Sequence, residues 1–184
     1  MSDSPTHHRH PALIATAVAL PVALVVGIIV AAVLANRIPA REPIALGSVP
    51  APAANGPDCA KVLGALPNTI GDYSGAKLAF PAPAGAKAWE KSSGGDPIVL
   101  RCGLDRPAEF TVGAAITQVD GVQWFEVSGK SQGLNSATWY AVDRGVYIAL
   151  TVPDGTGPTP LQAVSDAISA ALPARPIDPA PLPK

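Results

Sequence analysis

Residues 11–35 form an unbroken run of twenty-five positions without a charged side chain. At about 1.5 Å of rise per residue, a helix of this length would extend over roughly 37 Å, more than the roughly 30 Å hydrocarbon core of a bilayer. The apolar segment of a secretory signal peptide is shorter, about 7 to 15 residues. The run therefore predicts a permanent single-pass transmembrane helix, with cleavage after Ala35 as the alternative.

Composition divides the rest of the chain into four parts. Residues 1–10 form a short polar leader, and residues 36–56 are rich in proline and lack aromatic residues, which predicts a linker. Residues 57–172 contain all nine aromatic residues, as expected of a domain with its own core. Residues 173–184 are again proline-rich and predict a disordered tail.

The two cysteines, Cys59 and Cys102, both follow the apolar run. With no further ligand and no histidine in the domain, they predict a disulfide rather than a metal site or a catalytic thiol. Flanking charge gives no clear orientation, because Arg9 precedes the run while Arg37 and Arg41 follow it. Since disulfides form in oxidising compartments, the cysteines predict a cytoplasmic N-terminus and a domain outside the cell membrane.

Charge and histidine content argue against several classes of function. Residues 57–172 hold eight Lys and Arg against eleven Asp and Glu with no basic run, which argues against nucleic-acid binding. The histidines, His7, His8 and His10, all precede the apolar run, so the predicted domain lacks the group needed for Ser-His-Asp, Cys-His or ordinary zinc chemistry. We therefore predict no metal, no cofactor and no catalytic residue.

An enzymatic alternative stays open. Ser74 and Lys77 match the S-x-x-K spacing of penicillin-binding enzymes, although the companion motifs S-D-N and K-T-G are absent. Carboxylates such as Asp96, Asp105 and Glu126 could pair for glycoside chemistry if the fold brought two of them together. The alternative is thus a cell-envelope hydrolase or transferase that uses carboxylates or a Ser-Lys pair.

Local patterns predict an α+β domain with a small antiparallel sheet and helices packed on one face. Asp58 can cap a short helix that carries Cys59, and the apolar run 97–103 has strand length, so the disulfide would join helix to sheet. A second helix begins with a capping box of Thr159 and Gln162, and its apolar face is Leu161, Val164, Ile168 and Leu172.

Two turn signals predict hairpins. Asp120-Gly121 lies between two apolar segments, and Asp143-Arg144-Gly145 separates two more. In the first hairpin, pairing Val119 with Val122 places Trp124 on one face. In the second, pairing Val142 with Val146 places Trp139 and Tyr147 on the face opposite Tyr140. Since two short helices cover only one face, the sequence predicts an exposed aromatic binding surface of Trp124, Trp139 and Tyr147. The alternative is that a second layer, such as segment 72–90, buries them.

Small residues recur at every fourth position of the apolar run, which would let two helices approach closely. The positions are Ala15, Ala19, Ala23, Gly27, Ala31 and Ala35. This pattern predicts a weak homodimer through the transmembrane helix, although alanine is frequent throughout the chain and Pro21 interrupts the helix surface.

Several short motifs resemble an actinobacterial family known as domain of unknown function 3515. They are Pro57-Asp58-Cys59, Leu66-Pro67, Ile98-Val99-Leu100-Arg101-Cys102-Gly103, Gly121-Val122-Gln123-Trp124 and Arg144-Gly145-Val146-Tyr147. The resemblance extends over residues 57–172 and implies an envelope protein with an N-terminal anchor, but no activity. We therefore expect a non-catalytic module whose partners are the lipid bilayer and an envelope protein or cell-wall polymer.

Overall fold

The structure is a computed structural model that describes residues 11–37 and 41–182. The predicted leader at 1–10 lies outside the described residues, as do 38–40 and 183–184. The chain divides into two compact units, residues 1–42 and 43–184.

The first unit contains one helix, α1 (Pro11–Arg37). Side chains are described for its residues 21–34, and every one of them is exposed. Among the residues whose side chains the structure describes, no helix is both long enough and apolar enough to cross a membrane.

The second unit is built on one eight-stranded antiparallel sheet, with strand order β1-β2-β3-β4-β8-β7-β6-β5. Its strands are β1 (Thr69–Ile70), β2 (Tyr73–Ala76), β3 (Ala86–Lys91), β4 (Ile98–Leu104), β5 (Ile116–Val119), β6 (Val122–Ser128), β7 (Ser136–Ala141) and β8 (Tyr147–Pro153). Its helices are α2 (Pro57–Ala65) and α3 (Thr159–Ala171), and a short 3-10 helix occupies Gly129–Gln132. The α+β class and the antiparallel sheet expected from the sequence are confirmed.

Both helices of this unit pack on the same face of the sheet. Inward residues from α2, α3 and the central strands form the main core, and the largest fully buried side chains include Trp89, Trp124, Ile98, Leu100, Ile148, Leu150, Val62, Val164 and Ile168. A second, smaller cluster of Phe110, Phe125 and Val142 lies on the opposite face. The sheet is therefore covered by helices on one side and by irregular chain on part of the other.

The helix positions were predicted correctly, but the proposed caps were not. The N-cap of α2 is Gly56, and Asp58 lies inside the first turn beside Lys61. The N-cap of α3 is Pro158, with no side-chain cap hydrogen bond, so Thr159 and Gln162 form no capping box. In both helices a proline at the first or second position satisfies part of the need for a cap, because it has no N–H to leave unpaired.

The first predicted hairpin is confirmed. Val119 pairs with Val122, and the turn residues Asp120 and Gly121 have φ of 46° and 80°, as a two-residue turn of type I′ requires. Trp124 consequently points to the helix-covered face and Phe125 to the opposite one.

The second hairpin has a different register from the one predicted. Ala141 pairs with Ile148, so residues 142–146 form the connection and every side chain of one strand changes face relative to the predicted pairing with Val146. The loop is longer because Asp143 and Arg144 turn inward and are buried, while the N–H of Val142 bonds to Gln123 O of β6.

The predicted linker at 36–56 is wrong for its second half. Ile44 forms a parallel bridge with Leu78, and the N–H of Ala53 donates to Gly103 O. Gly103 has φ +87°, and a Cβ there would overlap the backbone of Ala54, so only glycine allows this close approach. Chain that is rich in proline can thus pack as an extended layer without closing a core of its own.

The predicted disordered tail is also wrong over residues 173–182, which are bonded to the domain. The N–H of Arg175 donates to Asp143 O, and Ala180 exchanges backbone hydrogen bonds with Phe110 and Val112. Arg106 pairs with Asp178 at 2.9 Å, and Ile177 packs against the Phe110 cluster. The tail therefore covers part of the sheet face that the helices leave open.

Candidate functional site

The predicted aromatic surface of Trp124, Trp139 and Tyr147 does not form. Trp124 is fully buried in the main core, where its indole N–H bonds to Ser165 of α3. Trp139 lies on the same helix-covered face and packs against that core, whereas the shifted register of β7 and β8 separates Tyr147 from it. Tyr147 lies on the opposite face, in edge contact with Phe110 and with its hydroxyl donating to Asp178 O. Trp124 and Trp139 therefore share the helix-covered face, and Tyr147 lies on the opposite one, so the three residues form no common exposed surface.

The disulfide between Cys59 and Cys102 is present and joins α2 to β4, as predicted. Both cysteines are fully buried in the main core, and no free cysteine occurs in the described part of the chain. The pair is thus a structural bridge and offers no accessible thiol.

The structure does not bring together the residues that the enzymatic alternative requires. Ser74 lies in strand β2, where a spacing of three places Lys77 toward the opposite face, whereas the S-x-x-K motif needs a helical turn. Asp96 and Asp105 flank opposite ends of β4, and Glu126 lies within β6. No two of these groups meet in a common cleft.

A polar cleft lies instead at the end of the sheet where β3 ends and β4 begins. It consists of two adjoining cavities of about 220 and 230 Å³ that share Tyr73, Lys91 and Thr156. The other polar side chains that line it are Asp72, Asp96, Asn135, Asp154 and Thr159. We call this set the polar cleft. Every one of these residues comes from a strand end, a turn or the first turn of α3.

The floor of the polar cleft is held by a short chain of hydrogen bonds. Thr156 Oγ1 donates to Pro153 O at 2.6 Å, so the hydroxyl of Tyr73, 3.3 Å away, is the donor to Thr156 Oγ1. The ammonium of Lys91 lies 4.8 Å from the centre of the Tyr73 ring, in cation–π geometry. The cleft therefore has an ordered base that carries one positive charge.

Three carboxylates surround this base. Asp72, Asp96 and Asp154 are exposed, and none of their carboxylates makes a hydrogen bond or an ion pair with another described residue. Within the described ranges, no group of three His, Cys, Asp or Glu is placed to hold a metal ion. The arrangement suits a ligand that presents hydroxyl or amine donors to separate acceptors.

Sequence reasoning missed the polar cleft, although the sequence contains a signal for it. Gly94-Gly95-Asp96 and Asp154-Gly155-Thr156 are glycine and aspartate turns that follow β3 and β8. In an antiparallel sheet, whether two such turns meet depends on strand order, and the β4–β8 pairing that brings these turns to one end is not local.

Comparison with known proteins gives one family. No curated protein and no solved structure matches the chain. The family described as "Protein of unknown function (DUF3515)" matches residues 18–177, which include the disulfide and every residue of the polar cleft. The chain therefore belongs to the DUF3515 family.

Proposed function

We propose that this protein is a single-pass membrane protein whose folded unit lies outside the cell membrane and binds an envelope ligand without catalysing a reaction. Residues 11–35 are the anchor, the N-terminus is cytoplasmic, and the polar cleft is the binding site. The observation that carries the binding role is the set of three carboxylates around the Lys91–Tyr73 base, none of which has a partner among the described residues.

Support for the anchor comes from α1 and its sequence. The described side chains of its residues 21–34 are exposed on all sides, and they are apolar residues such as Val22, Leu24, Ile28 and Leu34. A helix that is apolar on every side is stable in a protein core or in lipid, but not in water. The length of the apolar run matches a bilayer.

The disulfide supports the proposal that the folded unit lies outside the cell membrane. Cys59 and Cys102 lie 43 residues apart in the chain, and their bridge stabilises the main core directly. Such structural bridges persist where the surroundings are oxidising and are rare in reducing cytosol. A cytoplasmic folded unit would lose this bridge.

The hydrogen-bonding groups that line the polar cleft support a binding role. Exposed carboxylates and the Asn135 side chain offer hydrogen-bond acceptors and donors to a ligand at several points around one opening. A cell-wall polymer with sugar hydroxyls and amines presents complementary groups along its length. The folded unit also lacks histidine, the commonest general base, so binding without turnover is the simpler use of the cleft.

In-cell photocrosslinking tests the proposal. A photoreactive residue placed in the full-length protein at Thr159, an exposed residue of the cleft lining, should capture a wall polymer or an envelope protein that mass spectrometry can identify. The same residue placed at Gln118 on edge strand β5 is the control, because Gln118 is exposed but lies outside the polar cleft. Equal capture at both positions would contradict a binding site in the cleft.

The enzymatic alternative makes a different prediction for the same residues. If the carboxylates acted on a wall polymer, Asp96→Asn and Asp154→Asn would abolish release of polymer fragments but would leave capture intact or increase it. If the cleft only binds, these variants weaken capture and no fragment release is detected for the unmodified protein. Asp166→Asn on α3 is the matched control, since Asp166 is an exposed aspartate remote from the cleft lining.

A further inference from the structure

A second surface, apolar rather than polar, lies at the other end of the sheet. A shallow groove of about 450 Å³ runs between segments 45–48 and 79–83. Its lining residues are Ala45, Leu46, Ser48, Ala79, Phe80, Pro81, Ala82 and Pro83. We call it the Phe80 groove. The hydroxyl of Ser48 is its one polar side-chain group.

Phe80 is the most exposed large apolar residue in the described part of the chain. Its side chain is 97% exposed, whereas the other two phenylalanines, Phe110 and Phe125, are buried. Val49, next to the groove, is 48% exposed. No described residue covers the Phe80 side chain, and an exposed aromatic residue beside an apolar groove is typical of an interaction site.

The groove is close to α1 along the chain. Ile44 bonds to both Lys77 O and the N–H of Ala79, which fixes the Phe80 loop beside the start of the folded unit. Only six residues separate Arg37, the last residue of α1, from Ile44, so segment 45–48 of the groove follows α1 closely in the sequence.

We propose that the Phe80 groove docks on the surface of the same membrane that holds α1, with Phe80 inserted at the boundary between headgroups and acyl chains. The proposal rests on the anchoring of residues 11–35 proposed above. Its chemistry is that of an interfacial contact, in which apolar side chains enter the lipid while nearby cations stay at headgroup level. Lys77 is an exposed cation that precedes segment 79–83 of the groove.

This docking would also orient the polar cleft. The Phe80 loop connects the end of β2 to the start of β3, and the cleft lies where β3 ends. The two sites are thus at opposite ends of the strands. With the groove on the membrane, the polar cleft faces away from the lipid and toward the cell wall.

Lipid quenching of a fluorescent label tests this docking in the full-length protein. Both native cysteines are in the disulfide, so Ala82→Cys introduces a single thiol that takes an environment-sensitive nitrobenzoxadiazole label. Leu134→Cys is the matched control, because Leu134 is also apolar and 52% exposed but precedes β7 at the cleft end. The proteins are reconstituted in nanodiscs that contain spin-labelled phosphatidylcholine and phosphatidylglycerol.

We expect the label at position 82 to be quenched at least twofold more than the label at position 134, and Phe80→Glu to remove most of that difference. Equal quenching at both positions, in protein that co-purifies with nanodiscs, would overturn the docking and leave the anchor intact. A blue-shifted label at position 82 without lipid quenching would indicate contact with protein and would also overturn it. Failure to co-purify with nanodiscs would overturn the anchor and, with it, this inference.

Discussion

The indole N–H of Trp124 donates a hydrogen bond of 2.9 Å to Ser165 Oγ, and both residues are fully buried. Ser165 Oγ in turn donates to Leu161 O at 2.7 Å, one turn earlier in α3. The hydroxyl thereby satisfies the one polar atom of a large core side chain. This contact attaches α3 to strand β6 and explains how a tryptophan can be completely enclosed.

Removing the acceptor should destabilise the fold without removing much volume. Ser165→Ala leaves the indole N–H buried without a partner, which should lower the free energy of unfolding by about 1 to 3 kcal/mol. Trp124→Ala should cost more, about 3 to 5 kcal/mol, because it also creates a cavity. Urea denaturation of the full-length protein in detergent measures both changes.

Ser131→Ala is the control for this prediction, since Ser131 is exposed in the 3-10 helix and should change stability little. A loss of ligand capture in Ser165→Ala without any loss of stability would contradict a purely structural role for the Trp124–Ser165 contact.

The sequence predicts which face each strand residue occupies when the turn residues alone set the register. It does not do so when a buried charged residue lengthens the loop. Asp120-Gly121 sets the register of β5 and β6 by backbone conformation alone, so the placement of Trp124 relative to Phe125 follows from two residues. The β7–β8 register depends on Arg144 turning into the interior to reach Gly121 O, a contact 23 residues away in the chain. No local pattern encodes that contact.

The buried pair of Asp143 and Arg144 supports a second prediction. Their side chains are 2.7 Å apart, and Arg144 also donates to Gly121 O at 2.7 Å. Arg144→Met should lower the free energy of unfolding by about 3 to 5 kcal/mol, because it leaves a buried carboxylate unpaired. Replacing both residues, Asp143→Asn with Arg144→Met, should restore a part of that loss.

A double-mutant cycle by chemical denaturation measures the coupling between these two residues. Strict additivity of the two single changes would contradict the assignment of the pair as a mutually compensating ion pair.

The disulfide supports a third prediction. For a sequence separation of 43 residues, the chain-entropy estimate gives a stabilisation of about 4 kcal/mol. Reduction with dithiothreitol should therefore lower the melting temperature of the unmodified protein. The double variant Cys59→Ala, Cys102→Ala should melt at a lower temperature whether or not reductant is present, and a remaining sensitivity to reductant would contradict the single bridge.

Alkaline pH should weaken the fold. Burial, with a smaller contribution from the carboxylate of Glu109, raises the pKa of Tyr140 above the ordinary value of 10.0, and burial likewise raises the pKa of Tyr147. The folded protein therefore retains these protons at a pH where the unfolded chain has released them. Stability from this source is complete below about pH 10 and declines as pH rises through the folded-state pKa values.

Tyrosinate absorbance during an alkaline titration checks this prediction. In the folded protein the midpoint for Tyr140 should lie above 10, and Tyr140→Phe should reduce the fall in stability above pH 10. A midpoint below 10 for Tyr140 would contradict the burial of its hydroxyl group.

The candidate site was less accessible to sequence reasoning than the fold. The pairing of Cys59 with Cys102 was predictable, because only two cysteines exist and both follow the apolar run. The polar cleft depends on Tyr73, Lys91 and Asp154 meeting through non-local strand pairing, and hydrophobic periodicity contains no information about which strand ends are neighbours. The packing of residues 43–56 and 173–182 was hidden for a related reason, since proline-rich chain reads as linker unless a partner surface is known.

Protease treatment of intact spheroplasts that express the protein with different N-terminal and C-terminal tags tests the central claim most directly. If residues 11–35 anchor the chain and the folded unit lies outside, the C-terminal tag disappears while the N-terminal tag survives on a short fragment that resists alkaline extraction from the membrane. Survival of both tags until the cells are lysed would contradict the account.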